Sequence, residues 1–325
     1  MRRISPEALS RARAAIAGVA LRTPLVPAPA LSARTGREVR LKLETAQPVG
    51  AFKIRGAANA LANLDAGARA RGVVCASTGN HGRAVAYAAA RLGVPAIVCM
   101  SELVPQNKVE AIRALGAEVR IAGGSQDAAQ AEADRLAAEG RADIPPFDHP
   151  DVIAGQGTVG LELLEDFPDV DTIVVPLSGG GLIAGIAAAV KATAPDVRIV
   201  GVSMERGAAM KASIDAGHPV EVVEEPTLAD SLGGGIGLQN RWTFGMVRAL
   251  VDEIVLVSED AIAAAMRALF LEEGWVAEGA GAIGVALLDE PHLARLGRKI
   301  AIIVSGKNID MARFRRIVDG AGGAA

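Results

Sequence analysis

The sequence contains few cysteines, histidines and aromatic residues. Two cysteines and four histidines occur among 325 residues, and aromatic residues make up 3%. Cys75 and Cys99 lie in the apolar segments VVCAS and AIVCM, which favours buried thiols in a reducing compartment over a disulfide framework. No histidine stands at ligand spacing from another histidine or from a cysteine. The sequence therefore predicts no bound metal.

Charge and hydropathy argue against two further classes of protein. The net charge is −3 and the chain has no basic run, so we expect no nucleic-acid partner. No apolar run approaches the roughly 18–20 residues of a membrane span. Arg11 and Arg13 interrupt the apolar stretch that follows the basic start, and Ser5-Pro6-Glu7 is typical of a helix N-terminus rather than a secretory signal. We expect a cytoplasmic protein with no membrane partner.

Short β-rich segments alternate with helical segments along the chain. Several β-rich segments are near-continuous apolar runs, which is typical of strands covered on both faces of a parallel sheet. Helices are predicted at 81–93 and at 258–274, the latter capped by Ser258. The pattern predicts an α/β fold with two open, twisted, mostly parallel sheets flanked by helices. Strands are predicted at 39–44, 73–77, 96–100, 118–122, 172–178, 198–203, 253–258 and 299–305.

The βα units separate into two groups. Residues 49–150 hold successive repeats, and the proline-rich segment 145–150 is typical of a crossing back to the main body. We predict a large domain of residues 1–48 plus 151–325 and a small domain of residues 49–150. Ligands of open α/β sheets bind beyond the carboxyl ends of the strands, so the turns after strands are the places to look for chemistry.

Lys53 is the first candidate, in the segment PVGAFKIRG at 48–56. It stands between Phe52 and Ile54 near a predicted helix start. Desolvation there would disfavour the ammonium and free the amine to attack a carbonyl. Taken alone, a surface lysine with a buried stem explains the residue equally simply.

Two glycine-containing turns are typical of anion binding. STGNHG at 77–82 presents backbone N–H groups at a predicted helix N-terminus, which suits a carboxylate, although an ordinary capped turn is the alternative. SGGGL at 178–182 has three consecutive glycines that let the backbone wrap a phosphate.

The second glycine turn also supports a rival function. Gly179, Gly181 and Ala184 match G-x-G-x-x-A, and Glu205 stands at about the spacing of a ribose-binding acid. A nicotinamide-dependent oxidoreductase is thus one alternative, and a catalytically silent amino-acid or anion-binding protein on the same fold is another. The nicotinamide interpretation leaves Lys53 and the turn at 77–82 without a role.

Two later turns complete the set of candidates. Ser305, at the end of the last predicted strand, could hydrogen-bond a heteroaromatic nitrogen or simply cap a helix. DSLGGGIG at 230–237 is either a loop that closes over a ligand or a flexible connection.

Taken in order, these turns resemble the fold-type-II, tryptophan-synthase-β-like group of pyridoxal-phosphate (PLP) enzymes. Over nearly its full length the chain resembles the serine/threonine dehydratase and serine racemase family. The branch it resembles most is the hydroxyectoine-utilisation dehydratases. The resemblance implies PLP in the cleft between a large and a small domain, a small amino-acid substrate, and a homodimer or larger homo-oligomer. It rests on ETAQPVGAFKIRGAANAL, ASTGNHGRAVAYAA, SMERGAAM, DSLGGGIG and SGKNID.

The resemblance also implies roles for individual residues. Lys53 would hold the cofactor as an imine and move the α-proton, and Thr78 would be a second catalytic residue. Cofactor contacts are implied for Phe52 beside the ring, Asn80 at the phenolic oxygen, Ser178, Gly179, Gly180, Gly181 and Leu182 at the phosphate, Glu278 near the ring, and Ser305 at the pyridine nitrogen. Substrate contacts are implied for Ser77, Thr78, Asn80 and His81.

The implied reaction is loss of water from a β-hydroxy-α-amino acid, giving a 2-oxo acid and ammonia. A neutral Ser305 makes the ring a mild electron sink, which favours elimination over a long-lived carbanion. The substrate would be an intermediate of hydroxyectoine breakdown, or threonine or serine. A racemase is the alternative within the family, with Thr78 where racemases have a serine proton donor.

Several positions depart from the family pattern. Ser203 and Ala209 occupy the places of metal-binding acids, which again predicts no structural metal. Ala51 and Lys307 replace a serine and a glycine. We expect both to reshape the substrate pocket, with Lys307 placing a positive charge close to the ring. The chain continues only briefly past the last βα unit, which predicts a catabolic enzyme without a regulatory domain.

Overall fold

The computed structural model describes residues 2–77, 79–104 and 106–320, apart from the side chain of residue 107. The strands are β1 (Leu25–Pro27), β2 (Glu38–Leu43), β3 (Val73–Ala76), β4 (Ala96–Met100), β5 (Glu118–Ile121), β6 (Ala142–Asp143), β7 (Thr172–Pro176), β8 (Arg198–Met204), β9 (Glu253–Val257) and β10 (Lys299–Val304). The α-helices are α1 (Pro6–Ala15), α2 (Pro29–Thr35), α3 (Lys53–Ala62), α4 (Ala66–Arg71), α5 (Asn80–Leu92), α6 (Gln106–Arg113), α7 (Gln126–Ala138), α8 (Pro150–Asp166), α9 (Gly181–Lys191), α10 (Ala209–Ala216), α11 (Thr243–Leu250), α12 (Glu259–Leu271), α13 (Gly279–Ala282) and α14 (Met311–Val318).

The strands form two sheets. A six-stranded sheet has the order β1-β2-β10-β7-β8-β9, and a four-stranded sheet has the order β5-β4-β3-β6. Every pair is parallel except β1 with β2. The predicted fold, two mostly parallel sheets flanked by helices, is confirmed. The sequence pattern did not reveal β1 and β6, because three and two residues are too few to show a period.

All strands of the four-stranded sheet lie within 49–150, the range predicted for the small domain, and all strands of the larger sheet lie outside it. The domain limits themselves stay a prediction. None of the helices in the described ranges is long and apolar enough to cross a membrane.

The larger sheet is covered on both faces. In β10, Ile300, Ile302 and Val304 belong to one buried cluster, whereas Ala301 and Ile303 belong to another. Alternate side chains of a strand point to opposite faces, so both faces exclude water. This double burial explains why the strand segments are continuous apolar runs.

Helices α8 and α9 approach each other closely at two glycines. A Cβ at Gly185 would lie 2.3 Å from the carbonyl oxygen of Ile153, and one at Gly157 would lie 2.8 Å from the carbonyl oxygen of Gly185. Any side chain at either position would push the helices apart. The close crossing determines where the N-terminus of α9 lies.

A buried ionic cluster ties the start of α3 to the larger sheet and to α8. Arg55 contacts Glu44 at 2.8 Å and Glu162 at 2.6 Å, and Lys42 contacts Glu162 at 2.6 Å. Both cationic side chains are completely buried. Burial by itself would raise the pKa of Glu44, but the Arg55 guanidinium beside it holds that pKa below its ordinary value. Two carboxylates therefore neutralise two buried cations, a network that no sequence pattern indicated.

Replacing Arg55 with alanine should lower the free energy of unfolding by about 3–5 kcal/mol, because Glu44 loses its ion-pair partner and Glu162 loses one of two. Urea denaturation measures this change. Arg13→Ala is the matched control. It removes an exposed pair with Glu165 and should cost less than about 1 kcal/mol. Equal losses in the two variants would contradict the importance of the buried cluster.

Candidate active site

A cavity of about 440 Å³ lies at the carboxyl ends of the strands. Its wall includes Ser77 after β3, Ser178 after β7 and Ser305 after β10. The structure thus gathers turns that are more than 200 residues apart in the sequence. Thr78 lies outside the described residues. The other predicted site residues all line the cavity, namely Phe52, Lys53, Ser77, Asn80, His81, Ser178, Gly179, Gly180, Gly181, Leu182, Glu278 and Ser305.

Lys53 is the first residue of α3, as predicted from its sequence context. Its Nζ donates a hydrogen bond to the carbonyl oxygen of Pro146 at 2.8 Å and lies 5.2 Å from the centroid of the Phe52 ring. Burial lowers the pKa of Lys53 to about 8, because it strips water from the ammonium. About a tenth of the amine is therefore neutral at pH 7, far more than for an exposed lysine.

His81 is buried and neutral. Burial, and secondarily the charge of Lys53, lowers the pKa of His81 to about 3. Its Nε2 lies 2.7 Å from the carbonyl oxygen of Ile144. Since a carbonyl only accepts, Nε2 carries the proton. His81 therefore brings no positive charge to an anion in this cavity.

The triple-glycine turn leads directly into α9. Gly180 has φ +88°, in the left-handed region that favours glycine. A Cβ at Gly179 would lie 2.4 Å from Cδ1 of Phe147, so that ring packs against the turn. The first backbone N–H groups of this eleven-residue helix have no partners within the helix, and the helix dipole places positive charge there. This geometry suits a phosphate.

Ser305 and Glu278 lie at the end of β10 and before α13. The backbone N–H of Phe52 donates to the carbonyl oxygen of Ser305 at 3.0 Å, which attaches the start of α3 to β10. Burial raises the pKa of Glu278 to about 7, although a hydrogen bond from Asn80 Nδ2 at 2.7 Å opposes the shift.

Two departures expected to reshape the pocket, Ala51 and Lys307, are not among the residues that line it, so a direct contribution to its wall is absent. Lys307 is exposed and is not among the residues that line the cavity. Its backbone N–H donates to the carbonyl oxygen of Gly50 instead. Ala51 is completely buried and pairs with Gly306 in an isolated bridge. Neither residue forms part of the cavity wall.

Glu205 is exposed and lies outside the cavity wall. The nicotinamide interpretation therefore loses the acid that it needs beside the glycine turn.

Other lining residues were not predicted individually as site residues. The turn at 230–234 forms part of the wall, which favours the ligand-contacting interpretation of that segment. The PPFDHP segment at 145–150, predicted as a crossing back to the main body, also contributes Pro146 and Phe147 to the wall. Lys108 lies inside an ordinary helical pattern and Glu224 lies in a loop, so neither residue could be recognised as a site residue from the sequence. The additional lining residues include Lys108, Gln126, Pro146, Phe147 and Glu224.

Glu278→Gln should change the pH dependence of stability in the cofactor-free protein. The raised pKa means that the folded chain binds this proton more tightly than the unfolded chain, whose Glu278 has the ordinary value of 4.5. The stability that Glu278 contributes is therefore present below about pH 4.5 and is lost as pH rises to about 7, by about 3 kcal/mol.

Urea unfolding of both proteins between pH 4.5 and 8 measures the effect. The stability of the wild-type protein should fall relative to Glu278→Gln across this interval and level off above it. A difference that does not vary with pH would show that Glu278 titrates normally.

The donor set fits PLP. Lys53 would offer the aldehyde an amine of lowered pKa, the α9 N-terminus would hold the phosphate, and Ser305 would offer the ring nitrogen a hydroxyl rather than a carboxylate. The glycine turn in particular is a cradle that Cβ atoms would fill.

Known proteins agree with this assignment. The family model described as pyridoxal-phosphate dependent enzyme matches residues 16–306. A Sinorhizobium fredii protein, provisionally named a threonine dehydratase, is 56% identical over 98% of this chain and 96% of its own. The L-threonine ammonia-lyase of Thermotoga maritima is 43% identical over 97% of this chain and 78% of its own. Maize serine racemase superposes with a TM-score of 0.90 at 35% identity, covering 98% of this chain and 97% of its own. The chain belongs to the pyridoxal-phosphate-dependent enzymes, within the fold-type-II serine/threonine dehydratase family.

Proposed function

We propose that this PLP-dependent lyase eliminates water from a β-hydroxy-α-amino acid and releases a 2-oxo acid and ammonia. The observation that carries the proposal is one cavity with the Lys53 amine, whose pKa is lowered to about 8, and the triple-glycine turn at the N-terminus of α9. Relatives named as threonine dehydratase and L-threonine ammonia-lyase support the same reaction.

The cofactor, when bound, supplies an electron sink for the negative charge left on the α-carbon. Lys53 holds the cofactor through its amine and then accepts the α-proton, a task suited to a pKa near the working pH. The carbonyl oxygen of Pro146 accepts a hydrogen bond from Nζ and orients it. A carboxylate at this place would also neutralise the charge of the ammonium, which the carbonyl does not.

The start of α5 binds the substrate carboxylate. Ser77 Oγ accepts hydrogen bonds from the backbone N–H groups of Gly79 at 3.3 Å and Gly82 at 3.0 Å. Because both bonds use the lone pairs of the hydroxyl, its own proton remains free to donate to a carboxylate. The positive end of the thirteen-residue helix adds to the attraction. Thr78 follows Ser77 in the sequence, and we propose a catalytic role for it.

Ser305 faces the pyridine nitrogen in this proposal, and its hydroxyl cannot enforce protonation as an aspartate would. A neutral hydroxyl at this position would leave the bound cofactor a moderate electron sink, which would favour prompt loss of a β-leaving group over racemisation. Phe52 would pack beside the ring, and the turn from Ser178 to Leu182 would hold the phosphate.

The substrate side chain meets acidic groups. Glu224 and Asp230 both line the cavity, whereas threonine and serine offer a single hydroxyl to match them. A substrate with a further hydrogen-bond donor beyond the β-carbon would use these acceptors. We therefore favour a hydroxylated intermediate of hydroxyectoine breakdown over threonine itself.

We also propose that the enzyme is a homodimer in the cytoplasm, as the sequence features and the resemblance to the family imply.

Lys53→Ala should abolish turnover and leave the protein unable to retain the cofactor after borohydride reduction. The wild-type protein should be yellow, and reduction should attach the cofactor to the peptide that contains Lys53, as mass spectrometry detects. Lys307→Ala is the matched control, because this exposed lysine lies outside the cavity, and it should behave as wild type. Full activity of Lys53→Ala would overturn the assignment.

A screen of β-hydroxy-α-amino acids for ammonia release should show turnover of threonine or serine. Candidates with an additional donor on the side chain should have the higher kcat/KM. Glu224→Gln should reduce that preference by about tenfold and leave threonine turnover within about twofold, because a neutral amide attracts a donor group less strongly. Unchanged preference in the variant would exclude Glu224 from substrate selection.

A further inference from the structure

Asn80 contacts two side chains from distant parts of the chain. Asn308 Nδ2 donates to Asn80 Oδ1 at 2.6 Å and to the carbonyl oxygen of Val49 at 2.8 Å. Asn80 Nδ2 donates to Glu278 Oε1 at 2.7 Å. We call Asn308, Asn80 and Glu278 the amide relay. It joins the turn after β10, the start of α5 and the residue before α13.

The direction of the amide relay follows from a backbone carbonyl. The oxygen of Val49 can only accept, so Asn308 must present its NH₂ group there, and the second hydrogen of that group reaches Asn80 Oδ1. With its oxygen engaged, Asn80 turns its own NH₂ group toward Glu278. One N–H of Asn80 then remains for a molecule in the cavity that Asn80 lines.

Two glycines leave room for the partners of Asn80. A Cβ at Gly306 would lie 2.3 Å from Glu278 Oε1, and a Cβ at Gly50 would lie 2.8 Å from Asn308 Oδ1. Gly50 also has φ +74°, a conformation that a side chain would strain. A glycine therefore lies beside each partner, where a side chain would clash with Glu278 or Asn308. This observation does not depend on the hydrogen bonds.

We infer that Asn308 and Glu278 are positioning residues that hold the Asn80 amide in one orientation, so that its remaining N–H meets an acceptor oxygen on the cofactor ring. This inference rests on the proposed function, which places the cofactor in this cavity. A flipped Asn80 would present its oxygen instead and would repel that acceptor. Preorganising the amide removes this alternative before the cofactor binds.

The test is a double-mutant cycle on cofactor affinity. The cofactor-free wild-type protein and the variants Asn80→Ala, Asn308→Ala and Asn80→Ala/Asn308→Ala are titrated with PLP, and Kd is measured by fluorescence. Each single variant should bind about fivefold or more weakly, as loss of one oriented hydrogen bond predicts. The double variant should bind no more weakly than Asn80→Ala, because Asn308 acts only through Asn80.

Glu278 has its own pair of variants. Glu278→Gln keeps an acceptor for Asn80 and should keep Kd within about twofold of wild type, whereas Glu278→Ala should weaken binding. In Asn80→Ala, Asn308→Ala and Glu278→Ala, the visible absorption band of the bound cofactor should shift alike. Lys307→Ala, beside Asn308 but exposed, should change neither property.

Asn308→Asp covers the case in which Asn308→Ala does not fold, since it preserves the side-chain size and lacks the N–H donors. Additive losses in the cycle, or wild-type affinity in both Asn308 variants, would overturn the inference while the proposed function stands. If borohydride fails to attach PLP to Lys53 in the wild-type protein, the proposed function fails, and the inference with it.

Discussion

The amine of Lys53 is held in a cavity without an acidic partner, and much of the structure serves this arrangement. Among the described residues, no carboxylate lies within ion-pair distance of Nζ, and the carbonyl of Pro146 accepts its hydrogen bond. Burial without a counter-charge lowers the pKa, and a lowered pKa is what makes the amine a nucleophile and a proton acceptor near neutral pH. A nearby aspartate would stabilise the cation and remove the chemistry.

Holding an unpaired amine in place requires rigidity elsewhere. Two residues further along α3, Arg55 is fully paired with Glu44 and Glu162, and the backbone N–H of Phe52 is bonded to the end of β10. The same short segment thus contains a fully buried cation that is neutralised and a partly buried amine that has no counter-charge. The neutralised cation anchors the helix, and the other is the group that we propose for the reaction.

The cavity is organised for anions by backbone as much as by side chains. The N-termini of α5 and α9 both reach its wall, and His81, which lies at one of them, is uncharged. Anion attraction therefore comes from Lys53, Lys108 and helix N–H groups. The acids of the wall are Glu224, Asp230 and Glu278, so the cavity carries groups of both signs.

Sequence patterns predicted the larger features because each follows from local chemistry. Short β-rich segments, several of them nearly continuous apolar runs, identified eight strands, and Ser258 capped α12 as its position required, with Oγ accepting from the N–H of Ala261. The SGGGL turn could be interpreted as an anion site because three glycines, which lack a Cβ, let the backbone wrap around an anion. The order of the motifs then indicated the family and its cofactor.

Other features depended on contacts between distant residues. Lys307 stands one residue from Asn308, yet the first is exposed and the second bonds to Asn80, a distinction set by the path of the chain after β10. Arg55 and Glu162 are separated by about a hundred residues, and they form an ion pair only because α3 packs on α8.

By itself, the sequence determined eight of the strands, several helix starts, the glycine turns and the candidate lysine, because these depend on residues a few positions apart. The tertiary structure alone decided which side chains share the cavity, how far the Lys53 amine is shielded from water and how the Asn80 amide is oriented. Those properties arise from burial and hydrogen-bond direction, which exist only after the two sheets and their helices have packed together.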